Sequence, residues 1–185
     1  MAQKNMNVNT SGGVSLTNGS RAFETAWRGI LDVLPAAAYT CDAAGLITYF
    51  NRFAERVWGR APLLRDGRER YCGSHRLYLS DGTPMRHDQC WMALALQEEK
   101  VYDGREIIIE RPDGSRTVGE AYVYPLHNRQ RKLVGAVNVV ADITALKDPR
   151  AVVAQPEHAD IPHAALLTMI GVVMSVLPAA RLECV

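Results

Sequence analysis

The feature that most constrains this chain is a pair of strand signals either side of a tight turn, followed by a third strand. Ile107-Ile108-Ile109-Glu110 leads into Arg111-Pro112-Asp113-Gly114-Ser115-Arg116. A Pro-Asp-Gly run turns the chain sharply, so its flanks read as an antiparallel hairpin. Leu133-Val134-Gly135-Ala136-Val137-Asn138-Val139-Val140 then reads as a buried strand that stops at Asp142-Ile143-Thr144 and passes into a helix. The spans predicted are Tyr102–Glu110, Arg116–Leu126 and Lys132–Val140, the middle one alternating less cleanly than the others.

Two more strands precede them. Ala36–Cys41 and Leu46–Phe50 flank the turn Asp42-Ala43-Ala44-Gly45, where Gly45 supplies a positive φ. Asn51 is a good cap for a short helix carrying Phe53, Ala54, Val57 and Trp58, which Gly59 and Pro62 end. Arg65–Arg86 reads as a long connection containing a Ser80-Asp81-Gly82-Thr83-Pro84 turn. A further helix is expected to start between Asp88 and Trp91 and to reach about Glu99. The order is an α+β pattern: a five-stranded antiparallel sheet with helices packed on one face, preceded by an N-terminal amphipathic helix. The other face of such a sheet is open to a partner helix.

The flanks differ in kind. Residues 1–19 are rich in Asn, Ser, Gly and Thr, which bury too little apolar surface to offset ordering, so disorder is expected. Ser20 is a plausible cap for a helix whose Phe23, Trp27, Ile30 and Leu34 recur at helical spacing up to Pro35. The domain is therefore expected over 20–147, with 148–185 a linker and an apolar tail. Ala164–Ala180 has no charged residue, but its seventeen residues reach only the short edge of a membrane span, and Pro178 interrupts them. Packing against the domain or a partner is the favoured expectation.

Net charge is +1, which directs the chain toward neither nucleic acid nor an anionic membrane. Arg65, Arg68, Arg70 and Arg76 cluster, yet Asp66 and Glu69 interleave them, as on a solvated loop. The four cysteines, Cys41, Cys72, Cys90 and Cys184, form no Cys-x-x-Cys pair, so a zinc knuckle or dithiol redox site is not indicated and no metal site is expected. Scattered thiols and an N-terminus without a secretion signal point to a cytoplasmic location.

Taken together, these pieces resemble the PAS domain, a bacterial sensory and signalling module, over about residues 23–147. Ile30–Pro35 followed by Tyr39–Asp42 is similar to the PAS entry. Gly45–Asn51 is similar to the second strand and its Asn-capped helix, Ala54–Arg60 to that helix, and Gly135–Thr144 to the last strand with its exit motif. Cys72-Gly73-Ser74, Leu77-Tyr78, Asp81–Pro84 and His87–Cys90 resemble PAS modules attached to sensor histidine kinases, although Arg86 and Trp91 stand where prolines are expected. The resemblance implies a sensor or interaction module that regulates a histidine kinase or transcription regulator and takes a small-molecule ligand.

It also implies candidate residues. Asp142 and Thr144 would transmit the signal by tying the sheet to the outgoing helix. Phe23, Trp27, Ile30 and Leu34 would form a dimer interface, or else cover the sheet of their own chain. His87 lies where haem-binding PAS domains carry an axial ligand, making haem the candidate cofactor; a cap or a backbone hydrogen bond is its structural alternative. Met92 lies on a different face from His87. Flavin is not indicated, because Tyr71 and Gly73-Ser74-His75-Arg76 surround Cys72 in place of the photoreceptor pattern. A small cysteine-dependent enzyme using Cys90 with His87 and Asp88 is the alternative from another class, but nothing else in the sequence supplies an orienting group or an oxyanion site. No catalytic residues are assigned.

Overall fold

The computed structural model describes residues 27–147 and 162–176. Its elements are α1 (27–33), β1 (Ala37–Asp42), β2 (Ile47–Phe50), α2 (Arg52–Trp58), β3 (Arg76–Tyr78), β4 (Pro84–Met85), α3 (Trp91–Glu98), β5 (Tyr102–Glu110), β6 (Arg116–His127), β7 (Leu133–Asp142), α4 (Thr144–Lys147) and α5 (His163–Val176). A single 3-10 turn, His87–Gln89, precedes α3.

The strands form one antiparallel sheet of seven, ordered β2-β1-β7-β6-β5-β3-β4. The α+β expectation holds, but five strands was an undercount. The turn at Ser80–Pro84 closes as read, with Gly82 at φ +87 and Leu79 N–H bonded to Thr83 O at 2.8 Å. Its flanks pair as β3 and β4, and β3 joins β5. Strands of three and two residues carry no readable alternation, so only pairing with β5 reveals them.

The other boundaries follow local chemistry. The Asn51 side chain accepts from Ala54 N–H and caps α2, and Gly59 at φ +67 ends it. The Pro112-Asp113-Gly114 turn joins β5 to β6, with Gly114 at φ +82. β6 alternates between its faces from Arg116 to Leu126 after all. Thr117, Gly119 and Pro125 occupy inward positions, where a reading by hydrophobicity does not look for them.

The sheet has two cores. The inner face packs under α2 and α3, where Tyr39, Ile47, Trp58, Leu77, Met92, Ile109 and Val123 are buried. The outer face is covered as well, by α1 and α5, through Leu31, Leu34, Tyr49, Val137, Val139, Ile143, Leu166, Ile170 and Met174. Helices thus lie on both faces, because the uncharged segment 164–176 supplies a second layer. β7 is consequently buried on both sides along most of its length. At Gly135 the approach of β1 leaves no space for a side chain, since a Cβ there would lie 2.2 Å from Cys41 O. The disorder expected over 1–19, and residues 148–161 and 177–185 of the linker and apolar tail expected over 148–185, lie outside the described residues.

Candidate functional site

Two places bring chemistry-bearing residues together: a groove beside the 3-10 turn, and the exit of β7. The groove is open and about 520 Å³ in volume, lined by the 68–75 loop, Arg60 and Arg86–Asp88. His87 stands in it, half-buried. Its Nε2 is 3.2 Å from Ser74 O and 3.1 Å from Ser74 Oγ. A carbonyl oxygen only accepts, so Nε2 carries the proton. Burial lowers the pKa of His87, which favours the neutral ring.

Behind His87 a polar chain runs into the inner core. The Cys72 thiol donates to Ser74 Oγ at 3.2 Å. The Tyr39 hydroxyl donates to Tyr71 O at 3.1 Å and accepts from Asn138 Nδ2, also at 3.1 Å. Ser74, Tyr39 and Asn138 are all at least 95% buried, with exposures of 3%, 2% and 4%. Asn138 Oδ1 has no hydrogen-bond partner among the described residues, which is costly for a buried acceptor. The loop that feeds the chain is itself constrained. Tyr71 has φ +68, and Cys72 N–H bonds Arg70 O at 2.8 Å across it, a tight three-residue turn.

Two candidates meet specific limits here. Haem at His87 does not fit the arrangement: Nε2 is already committed to Ser74, and the groove around it is rimmed by charged side chains. Cys90 is 2% exposed and its thiol is pushed up to about 12 by burial, the opposite of an activated nucleophile. The proton-bearing nitrogen of His87 points at Ser74, so the ring does not serve Cys90 as an acceptor through that atom. Burial likewise raises the Cys41 and Cys72 thiols. Among the described residues no group of three or more His, Cys, Asp and Glu is placed to hold a metal ion.

The exit of β7 is a clasp. Asp142 Oδ1 accepts from Thr144 N–H at 2.9 Å, and Thr144 Oγ1 accepts from Val118 N–H at 2.9 Å. Ile143 N–H bonds Val118 O at 2.9 Å, and the Ile143 side chain is buried in the outer core. The three residues therefore fasten the start of α4 to β6. Lys147, at the end of α4, pairs with Glu106 on β5.

The proposed dimer stripe is distributed differently from its spacing. Trp27 packs edge-on against Tyr49 at 5.6 Å and Leu34 is 2% exposed, so both face the sheet. Leu31 completes that buried face, whereas Ile30 and Val33 are 43% and 77% exposed. Phe23 lies outside the described residues. Tyr39, Ser74 and Asn138 were given no functional role from the sequence; the one available signal was a lone amide inside the apolar run of β7.

The family model described as the PAS fold matches residues 31–148, well over half of the chain. The chain belongs to the PAS fold family. Among solved structures, it is similar to the PAS domain of the fruit-fly ELK potassium channel at 17% identity and TM-score 0.50, covering 66% of this chain and 98% of that one. The PAS domain of Bordetella pertussis BvgS matches at 15% identity and TM-score 0.45, over 82% of this chain and 97% of that one. A PAS domain from Colwellia psychrerythraea matches at 18% identity and TM-score 0.43, over 65% and 97%. At such identities the likeness concerns the fold. No curated protein matches the chain. PAS domains are sensory and interaction modules, and that general role applies here.

Proposed function

We propose that this protein is a sensor and interaction module of bacterial signal transduction, acting in the cytoplasm without catalysis of its own. In this reading it regulates a histidine kinase or transcription regulator by moving its outer helical layer against the sheet. The observation that carries the reading is the Asp142–Thr144 clasp. It joins β7, which carries Asn138 into the inner core and Val137 and Val139 into the outer one, to α4 at the exit. A change around Asn138 would alter the end of the strand that holds the clasp. A ligand drives such a change only by binding two arrangements with different affinity.

The same reading makes α1 the dimer contact. Ile30 presents the exposed surface, and Trp27 and Leu34 seat the helix on the sheet. The inert, buried Cys90 supports a non-catalytic role, and a net charge of +1 favours protein partners over nucleic acid.

A chimera tests the proposal. Residues 20–176, which keep α5, are joined to the dimerisation and catalytic domains of a histidine kinase lacking its own PAS module. Asp142→Ala should change the autophosphorylation rate at least about threefold while leaving the circular dichroism spectrum unchanged. A variant that unfolds, or one that stays folded with an unchanged rate, would count against signal transmission through the clasp.

A further inference from the structure

We propose that the groove beside His87 binds a small oxyanion, a carboxylate- or phosphate-bearing molecule. Its lining holds four arginines, Arg60, Arg68, Arg70 and Arg86, against two carboxylates, Glu69 and Asp88. The guanidinium groups are held in place yet not used up. Arg68 engages Asp66, and Arg86 engages Asp88, through Nε and Nη2, so Nη1 of each has no hydrogen-bond partner among the described residues. Arg60 is fixed by Glu69 and by Gly73 O at 3.2 Å. Arg70 stacks over the Tyr71 ring at 5.0 Å and holds Ala44 O through Nη2 alone. Each guanidinium carries five donors in a planar fork that suits carboxylate and phosphate, and pre-positioning lowers the entropic cost of using them. The volume of about 520 Å³ is that of a small-molecule site.

Two further features favour a ligand over a merely solvated rim. Tyr71, at the centre of the tight turn, is one of the residues lining the groove, and backbone strain of this kind concentrates at ligand clamps. Tyr71 O also accepts from Tyr39, which is bonded in turn to Asn138 on β7. An anion drawn against Arg70 and Tyr71 therefore pulls on the polar chain that enters the core. This last step rests on the sensor reading; binding itself does not.

The test is titration of the full-length, isotope-labelled protein with inorganic phosphate and, separately, with succinate, followed by nitrogen–proton correlation spectra at constant ionic strength. Saturable shifts centred on residues 60, 68–75 and 86–88 are expected with at least one probe. The probe that saturates at lower concentration identifies the source of the oxyanion. Arg68→Gln combined with Arg86→Gln should weaken binding at least tenfold. Asp88→Asn, which removes a competing carboxylate, should strengthen it at least threefold. Shifts that do not saturate, that follow total salt, or that ignore both variants would overturn the site. Asn138→Leu separates the two ideas. It should leave binding within twofold and abolish any ligand-dependent shift at Val118 and Thr144; binding without such a shift in the unsubstituted protein would retain the site and remove it as the sensor's input.

Discussion

The inner and outer faces of this sheet are built from different kinds of chain. The inner core is made by one continuous stretch, residues 37–140, whose strands and helices alternate around Trp58, Met92 and Ile109. The outer core relies on segments near the two ends: α1 before β1, and α5 after residues 148–161. α5 buries Leu166, Ile170 and Met174 on the sheet but leaves Met169 and Val172 40% and 59% exposed. The inner layer is thus part of the folding unit, whereas the outer layer is added to it. A protein that must fold once and signal repeatedly gains from such a division, because the movable elements come from the low-stability end of the molecule.

The largest expected effect lies inside. Trp58 meets Tyr39 and Phe50 edge-on at 5.0 and 5.7 Å. Trp58→Ala should cost about 3–5 kcal/mol in urea unfolding; a loss below about 1 kcal/mol would break the claim that this core carries the fold. Asn51 comes next. Its Oδ1 accepts from Ala38 and Ala54 N–H, and its Nδ2 donates to Leu31 O and Ala36 O, all within 3.0 Å. At about 1 kcal/mol per bond, Asn51→Ala should cost roughly 2–4 kcal/mol. Because the same side chain binds the end of α1, that variant should loosen the outer layer too, seen as faster exchange of amides 28–33.

A smaller effect is expected on the outer face. Ile170 is 1% exposed, yet its loss cannot cost more than the free energy that holds α5 in place. Ile170→Ala should therefore cost under about 2 kcal/mol, the low edge for such truncations. An early, separate cleavage of 163–176 by protease should accompany it. A loss equal to that of Trp58→Ala, without early cleavage, would erase the contrast between the layers.

The smallest effect is a pH dependence. Burial lowers the pKa of His87 below its ordinary 6.5. Between the lowered value and 6.5 the unfolded chain binds more protons, so stability rises with pH there. The contribution is complete above 6.5 and is lost as pH falls through the folded value. Urea midpoints at stepped pH should show this slope, and His87→Gln should flatten it. Below that window, Asp66, held at about 2 by Arg68, and Glu110, lowered chiefly by Arg116, belong to a separate acid transition.

Much of the frame was legible because it is local. Asn51, Gly59, the Pro112-Asp113-Gly114 turn and Asp142-Ile143-Thr144 each act within a few residues of themselves. What stayed hidden is non-local or phase-dependent. β3 and β4 are too short to alternate and exist through pairing with β5. On α1, sheet-facing positions 27, 31 and 34 and the proposed stripe of 27, 30 and 34 are both helical spacings, so only the sheet beneath decides between them. An uncharged α5 names no face at all. The bond between Asn138 and Tyr39 spans 99 residues, and no spacing rule reaches that far. Ser74 and His87 meet in the same way, across a loop.

Native-state hydrogen exchange on the full-length protein tests the division between the layers most directly. The account predicts that amides of α5 exchange through a local opening at least about 2 kcal/mol cheaper than the global unfolding reported by residues 137–140 of β7. Equal opening free energies for α5 and β7, with the same dependence on urea, would mean that the sheet and its outer layer unfold as one unit, and would contradict an output layer that moves while the inner core stays folded.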